Sequence, residues 1–122
     1  KADRRPVAAV LVHRMKRGMR LQSDPTVRYG INFETDQPIS KADLRRKTPW
    51  NTYVVNGLPK TPICNPGFNS LEAALNPADS DFLYFVSDGF GGLRFAKTLD
   101  VHNKNVRLFR AFKTQNPKGP RP

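Results

Sequence analysis

The sequence predicts an α+β fold: a small, mostly antiparallel sheet with flanking helices and one long proline-rich loop. Three observations carry this. Apolar residues recur at helical spacing near both ends, an apolar run of β-forming residues precedes a Ser-Asp-Gly-Phe-Gly-Gly turn, and prolines crowd the middle of the chain. At 122 residues the chain is the size of one domain or part of one. A hydrophobic fraction of 38%, with eight Phe, three Tyr and one Trp, supplies enough apolar surface for most of it to fold.

Each element follows from local chemistry. From Arg5 to Arg17, Val7, Val10, Leu11 and Met15 fall on one helical stripe and Gly18 offers a stop. Met19 to Gln22 alternates like a short strand. Asp24-Pro25-Thr26 then reads as a capping residue followed by proline at the first helical position, opening a short helix through Tyr29 closed by Gly30. Residues 31–39 read as an irregular excursion, and Ser40 with Asp43 as a capping box for a short helix over 41–46 with an exposed basic face. The stretch from Thr48 to Asn69, with Pro49, Pro59, Pro62 and Pro66, is too irregular for a regular element apart from an extended piece at Thr52 to Val55. Asn69 and Glu72 have capping-box spacing for a helix from Ser70 to about Leu75, ended by Asn76-Pro77. Phe82 to Val86 and Leu93 to Ala96 make a hairpin around the glycine-rich turn. Leu99, His102, Val106 and Phe109 mark a last amphipathic helix. Residues 1–113 are thus expected to form the folded portion, with 114–122 a basic flexible tail.

Composition excludes several classes. The longest apolar stretches, Pro6 to Val12 and Phe82 to Val86, fall far short of the roughly 20 residues of a membrane-spanning helix. No charged-then-apolar leader stands at Lys1, so the start reads as an interior cut with any anchor upstream. The net charge of +11 sits mainly at the two ends of the chain and would attract polyanions without choosing among them. Cys64 is the single cysteine, which rules out an internal disulfide and is expected to be semi-buried. No metal site is predicted: His13 and His102 are far apart, and neither has a carboxylate three or four residues away. His13, among Arg14, Lys16 and Arg17, reads as solvent-facing, and His102 as a hydrogen-bonded core histidine.

Candidate catalysts each have a structural alternative. Cys64 lacks a neighbouring histidine, and no nucleophile elbow or phosphate-cradling loop is present. Glu72 and Asp24 can be helix caps, and Glu34 an exposed loop residue. Spacing alone does not identify an enzyme.

The motifs go further. Gly18-Met-Arg-Leu-Gln-Ser-Asp-Pro-Thr-Val-Arg-Tyr-Gly30, Asn51-Thr-Tyr53 and Gly57-Leu-Pro-Lys-Thr-Pro-Ile-Cys-Asn-Pro-Gly67 resemble, in order, motifs of the endolytic murein transglycosylases, the YceG-like family. Ser70-Leu-Glu-Ala-Ala, Leu83-Tyr-Phe-Val86 and His102-Asn103 continue the resemblance, which runs from about residue 5 to 110. It implies a lyase of cell wall biogenesis that cleaves the MurNAc–GlcNAc β-1,4 bond of peptidoglycan and leaves a 1,6-anhydro-MurNAc end, with no cofactor. One glutamate can serve as both acid and base in such a reaction. In the family that glutamate lies just before the stretch matching Lys1 to Val12, so the resemblance implies an incomplete catalytic domain with no catalytic residue in this chain.

The retained polar and aromatic residues Gln22, Asp24, Thr26, Tyr29, Asn51, Tyr53 and Asn65 are expected around the sugar groove, with Trp50 as a further stacking surface. Proline-fixed turns suit the loop to holding Asn51 and Asn65 in place. The chain departs from the family pattern at Lys60, where proline is usual, at Trp50, where tyrosine is common, and at Leu93-Arg94, where a histidine often follows Gly-Gly.

The implied partners are glycan strands and peptidoglycan synthases rather than nucleic acid. The implied location is the periplasmic face of the inner membrane, through an anchor outside this chain. The helix before Lys1 is expected to pack on the Val7 to Met15 stripe. A non-catalytic murein- or polyanion-binding module is the alternative. Aminodeoxychorismate lyase, a label this family has carried, would require pyridoxal phosphate, and no lysine here stands in a recognisable cofactor-binding context.

Overall fold

The computed structural model describes residues 3–31 and 38–115. Among them are five helices and a two-stranded antiparallel sheet, an α+β arrangement. The chain divides into two compact units: Lys1–His13 with Phe68–Pro122 forms the first, and Arg14–Gly67 the second.

In the first unit, helix α1 (Arg4–Lys16) buries Ala9 and Val10, and proline at position 6 is tolerated in its first turn. His13 is half-buried rather than solvent-facing, because its Nδ1 donates to the Phe82 carbonyl at 3.3 Å. The Arg5 guanidinium reaches the Asn76 carbonyl at 2.8 Å, and the Ala78 amide donates to the Arg5 carbonyl. Helix α4 (Phe68–Leu75) starts two residues earlier than its cap pattern predicts, so Asn69 and Glu72 are helical residues and not a capping box.

Strands β1 (Tyr84–Ser87) and β2 (Leu93–Ala96) pair from Tyr84 opposite Ala96 to Ser87 opposite Leu93. The first strand begins later than its apolar run because the Phe82 carbonyl is taken by His13. Asp88 closes the turn, its carboxylate accepting from the amides of Phe90 at 2.7 Å and Gly92 at 3.1 Å. Those backbone bonds, Phe90's first, hold the Asp88 carboxyl below its usual range. Gly89 is required here: its φ is +86°, and a β-carbon would run into Phe112.

Helix α5 (Leu99–Gln115) packs on both strands with a face at three- and four-residue steps. Tyr84 stacks on His102 at 4.9 Å between ring centroids, and Phe90 meets Phe112 at 4.6 Å. The helix continues past Lys113, where fraying was expected, to Gln115; residues 116–122 lie outside the described residues.

In the second unit, α1 ends in a Schellman motif: the Met19 amide donates to the Arg14 carbonyl and the Gly18 amide to that of Met15, with Gly18 at φ +70°. Residues 19–22 form no strand. In helix α2 (Asp24–Gly30) Ser23 holds the N-cap position, without a side-chain cap bond, so Asp24 is the first helical residue and not the cap. Helix α3 (Lys41–Leu44) is shorter than expected but carries the full capping box, with Asp43 and Ser40 bonded reciprocally at 3.0 Å. The bond from the Ser40 amide first, and then the Ser40 hydroxyl beside the carboxylate, depress the Asp43 carboxyl. Thr52 to Val55 is a turn rather than extended chain, since the amides of Val54 and Val55 both donate to the Asn51 carbonyl. Most of the expected excursion at 31–39, including Glu34, lies outside the described residues.

Candidate functional site

The second unit is organised by a polar centre. Thr26, Asn51 and Thr52 are buried, the last two completely. The Thr26 hydroxyl donates to the Ser23 carbonyl at 2.6 Å, so the 2.8 Å contact between the Thr26 and Thr52 hydroxyls has Thr52 as donor. The Thr52 amide donates to Thr26 Oγ1 at 3.1 Å, the Ser23 amide to Thr52 Oγ1 at 2.9 Å, and the Gln22 amide to the Thr52 carbonyl at 3.2 Å. These bonds lock the start of α2 to the turn after Asn51.

Asn51 ties that turn to α3. Its side-chain amide donates to the carbonyls of Leu44 at 3.0 Å and Arg46 at 2.7 Å, and its oxygen accepts from the Tyr53 amide at 2.9 Å. Every polar group of the side chain is used, as a buried amide requires. Thr48 Oγ1 accepts from the Asn51 amide, and a β-carbon at Gly30 would collide with it, so glycine is needed where α2 ends.

Gln22, Asp24 and Tyr53 lie on the exposed side of this centre. Gln22 is the one non-glycine residue with positive φ among those described, at 52°, an uncommon conformation for a side chain of its kind. Arg14, only 7% exposed, donates to the Gln22 side-chain oxygen at 3.4 Å and to the Arg20 carbonyl at 2.8 Å. The Tyr53 hydroxyl donates to Asp24 Oδ1 at 2.7 Å. Burial first, and then that bond, push the phenol well above its ordinary pKa, so Tyr53 stays a proton-bearing donor. Arg20 clamps the same turn through Asn56 Oδ1 and the Tyr53 carbonyl, each at 3.2 Å.

Tyr29, at the other end of α2, meets Trp50 edge to face at 5.4 Å. Lys60 Nζ lies 5.7 Å from the centre of the Trp50 ring, so two positions where the chain departs from its motifs are neighbours in space. Asn65 is exposed on the proline-rich loop and makes no hydrogen bond to the other expected residues. Cys64 is exposed as well, against the semi-buried expectation, as are Asn65, Pro66 and Gly67 beside it on the loop.

Sequence reasoning missed Arg14 and Thr52. Arg14 follows Val7, Val10 and Leu11 on the apolar stripe of α1, and a cation at a core-facing position was the available signal. Thr52 had none beyond its place between Asn51 and Tyr53. In the first unit an apolar groove of about 330 Å³ lies between α1 and α4, lined by Val7, Ala8, Leu11, Ser70, Ala73 and Ala74 among others.

The sequence profile of the YceG-like family matches residues 1–108. The chain belongs to that family. It is 46% identical over 104 residues to an endolytic murein transglycosylase of Bacillus subtilis, covering 85% of this chain and 29% of that protein. It is 32% identical over 110 residues to an endolytic murein transglycosylase of Streptococcus pneumoniae, covering 85% of this chain and 20% of that protein. A crystal structure of a yceG-like protein from Listeria monocytogenes matches 80% of this chain and 32% of its own, with a TM-score of 0.75 at 45% identity. The chain therefore spans less than a third of the length of these relatives. Among the described residues no helix is long and apolar enough to cross a membrane.

Proposed function

We propose that this chain is the substrate-holding part of an endolytic murein transglycosylase acting on peptidoglycan at the cell envelope. The observation that carries the reading is that exposed Gln22 and Asp24 and the half-buried Tyr53 are mounted on a buried polar centre. With one carboxylate oxygen taken by Tyr53, Asp24 keeps its other for a sugar hydroxyl or acetamido N–H. Gln22, its oxygen engaged by Arg14, keeps its amide N–H groups for an acetamido carbonyl. Thr26 and Asn51, being buried, hold these groups in place, and Asn65 is exposed on the proline-rich loop, free to meet the polymer. Preset donors and acceptors bind a polymer without the entropy cost of ordering them.

In this reading the β-1,4 bond between MurNAc and GlcNAc breaks as an acid protonates the leaving oxygen. The muramic 6-hydroxyl closes onto the anomeric carbon and returns its proton to the same carboxylate. The acid is a glutamate outside this chain; Asp24 orients substrate. The full gene product acts at the periplasmic face of the inner membrane, beside peptidoglycan synthases, through an anchor elsewhere in its length.

Mass spectrometry of purified peptidoglycan digests tests this. Full gene product should release anhydro-ended products, Asp24→Ala should lower turnover at least about tenfold, well beyond what the about 1 kcal/mol of stability lost with its bond to Tyr53 explains, and the 122-residue chain alone should release none. Anhydro-ended products from the chain alone, or an Asp24→Ala variant of normal activity, would overturn it.

A further inference from the structure

We infer that Tyr29, Trp50 and Lys60 form a subsite for a carboxylate-bearing sugar of the glycan strand, which rests on the transglycosylase reading above and names what one part of that site selects. The Trp50 indole N–H is spent on Thr61 Oγ1 at 2.9 Å, and the Thr61 hydroxyl in turn donates to the Pro62 carbonyl at 2.9 Å. The indole is thereby fixed and has apolar ring surface to offer. Tyr29 stands against it at an interplanar angle of 62° and is 48% exposed, so the pair presents two differently oriented aromatic surfaces. Aromatic surfaces of this kind pack on the apolar face of a pyranose ring.

Lys60 adds charge at the same place. Its backbone amide donates to the Pro49 carbonyl at 3.1 Å, which pins residue 60 beside Trp50, and its ammonium lies 5.7 Å from the ring centroid. Among the described residues no carboxylate lies within ion-pair distance of it; the ion pair found there joins Lys97 to Asp81. The cation is therefore exposed, oriented by the ring and uncompensated by those residues. A neutral N-acetyl sugar would use the aromatic pair and leave the ammonium in water. A sugar bearing a carboxylate, on its own lactyl arm or on a peptide attached there, would use both.

Trp50 is the only tryptophan of the chain, so its fluorescence reports on this subsite directly. Three tetrasaccharides serve as probes: neutral chitotetraose, murein stripped of peptide by an amidase, and murein with intact peptide stems. Both charged probes, or the one whose carboxylate the subsite reads, should change Trp50 emission and bind Lys60→Met about three- to five-fold more weakly than wild type. Chitotetraose should bind both proteins equally. In full gene product, Lys60→Met should raise KM for murein strands by a similar factor with kcat unchanged, a readout independent of how the short chain behaves. Equal binding of charged probes to wild type and Lys60→Met, with KM unmoved, overturns the subsite and leaves the transglycosylase reading standing. Failure to bind any probe, with inactive full gene product, overturns both.

Discussion

The two units are held together by different chemistry. In the first, the buried side chains among the described residues are Ala9, Val10, Ala73, Leu83 and Ala96, all apolar. In the second, Leu21 and Val27 share the interior with Arg14, Thr26, Asn51 and Thr52. An apolar interior tolerates changes of shape that conserve volume, whereas a polar one depends on each donor meeting its acceptor. The second unit is also the one that carries all the expected sugar-facing residues. Its polar centre specifies where exposed groups point, which matters more to a binding site than to a packing layer.

The largest expected effect comes from breaking that centre. Asn51→Leu keeps roughly the volume but leaves the carbonyls of Leu44 and Arg46 and the amide of Tyr53 without partners, and should cost about 3 kcal/mol in urea unfolding. A near-neutral Asn51→Leu would erase the contrast between the units. Thr26→Val should cost about 2 kcal/mol by the same assay, while Leu83→Met in the first unit should cost under about 1.5 kcal/mol. The reverse order would place the polar dependence in the wrong unit.

Tyr53→Phe sharpens the comparison, because its hydroxyl lies outside the centre. Loss of the bond to Asp24 should lower stability by only about 1 kcal/mol, yet reduce turnover of the full gene product on glycan strands by more than that loss of folded protein explains. Turnover falling only in step with stability would make the bond structural.

The smallest effect is electrostatic. The carboxyls of Asp43 and Asp88 are depressed in the fold, so each favours folding above the unfolded carboxylate value of about 3.9 and loses that contribution as pH falls through its lower, folded value. Amide protection factors at Phe90 and Asp43, corrected for the intrinsic pH dependence of exchange, should therefore be flat around neutrality and fall only below about pH 4. A fall in protection near pH 6 would contradict it.

How much the sequence revealed follows the same division. In the first unit the stripe of α1, the glycine-rich turn and the face of α5 all have a period, and their elements lie close to where the pattern puts them. The errors there come from tertiary bonds, as when His13 takes the Phe82 carbonyl and delays β1. In the second unit only the caps and glycines could be read: Ser40 with Asp43, Pro25, Gly18 and Gly30. The extended stretch expected at Thr52 to Val55 is a turn because Asn51 gathers the chain around itself, and side-chain-to-backbone bonds over tens of residues leave no local pattern. The motifs located Asn51 and Thr26 without separating buried residues from exposed ones; burial does so, and both lie inside the unit.

Glycan binding by the second unit can be read residue by residue in an amide chemical-shift titration of the isotopically labelled chain with soluble murein strands. Shifts should be confined to residues 20–29 and 50–65, leaving the hairpin and α5 unmoved. Shifts centred on the hairpin, on α5 or on the α1–α4 groove, with residues 20–29 silent, would contradict it.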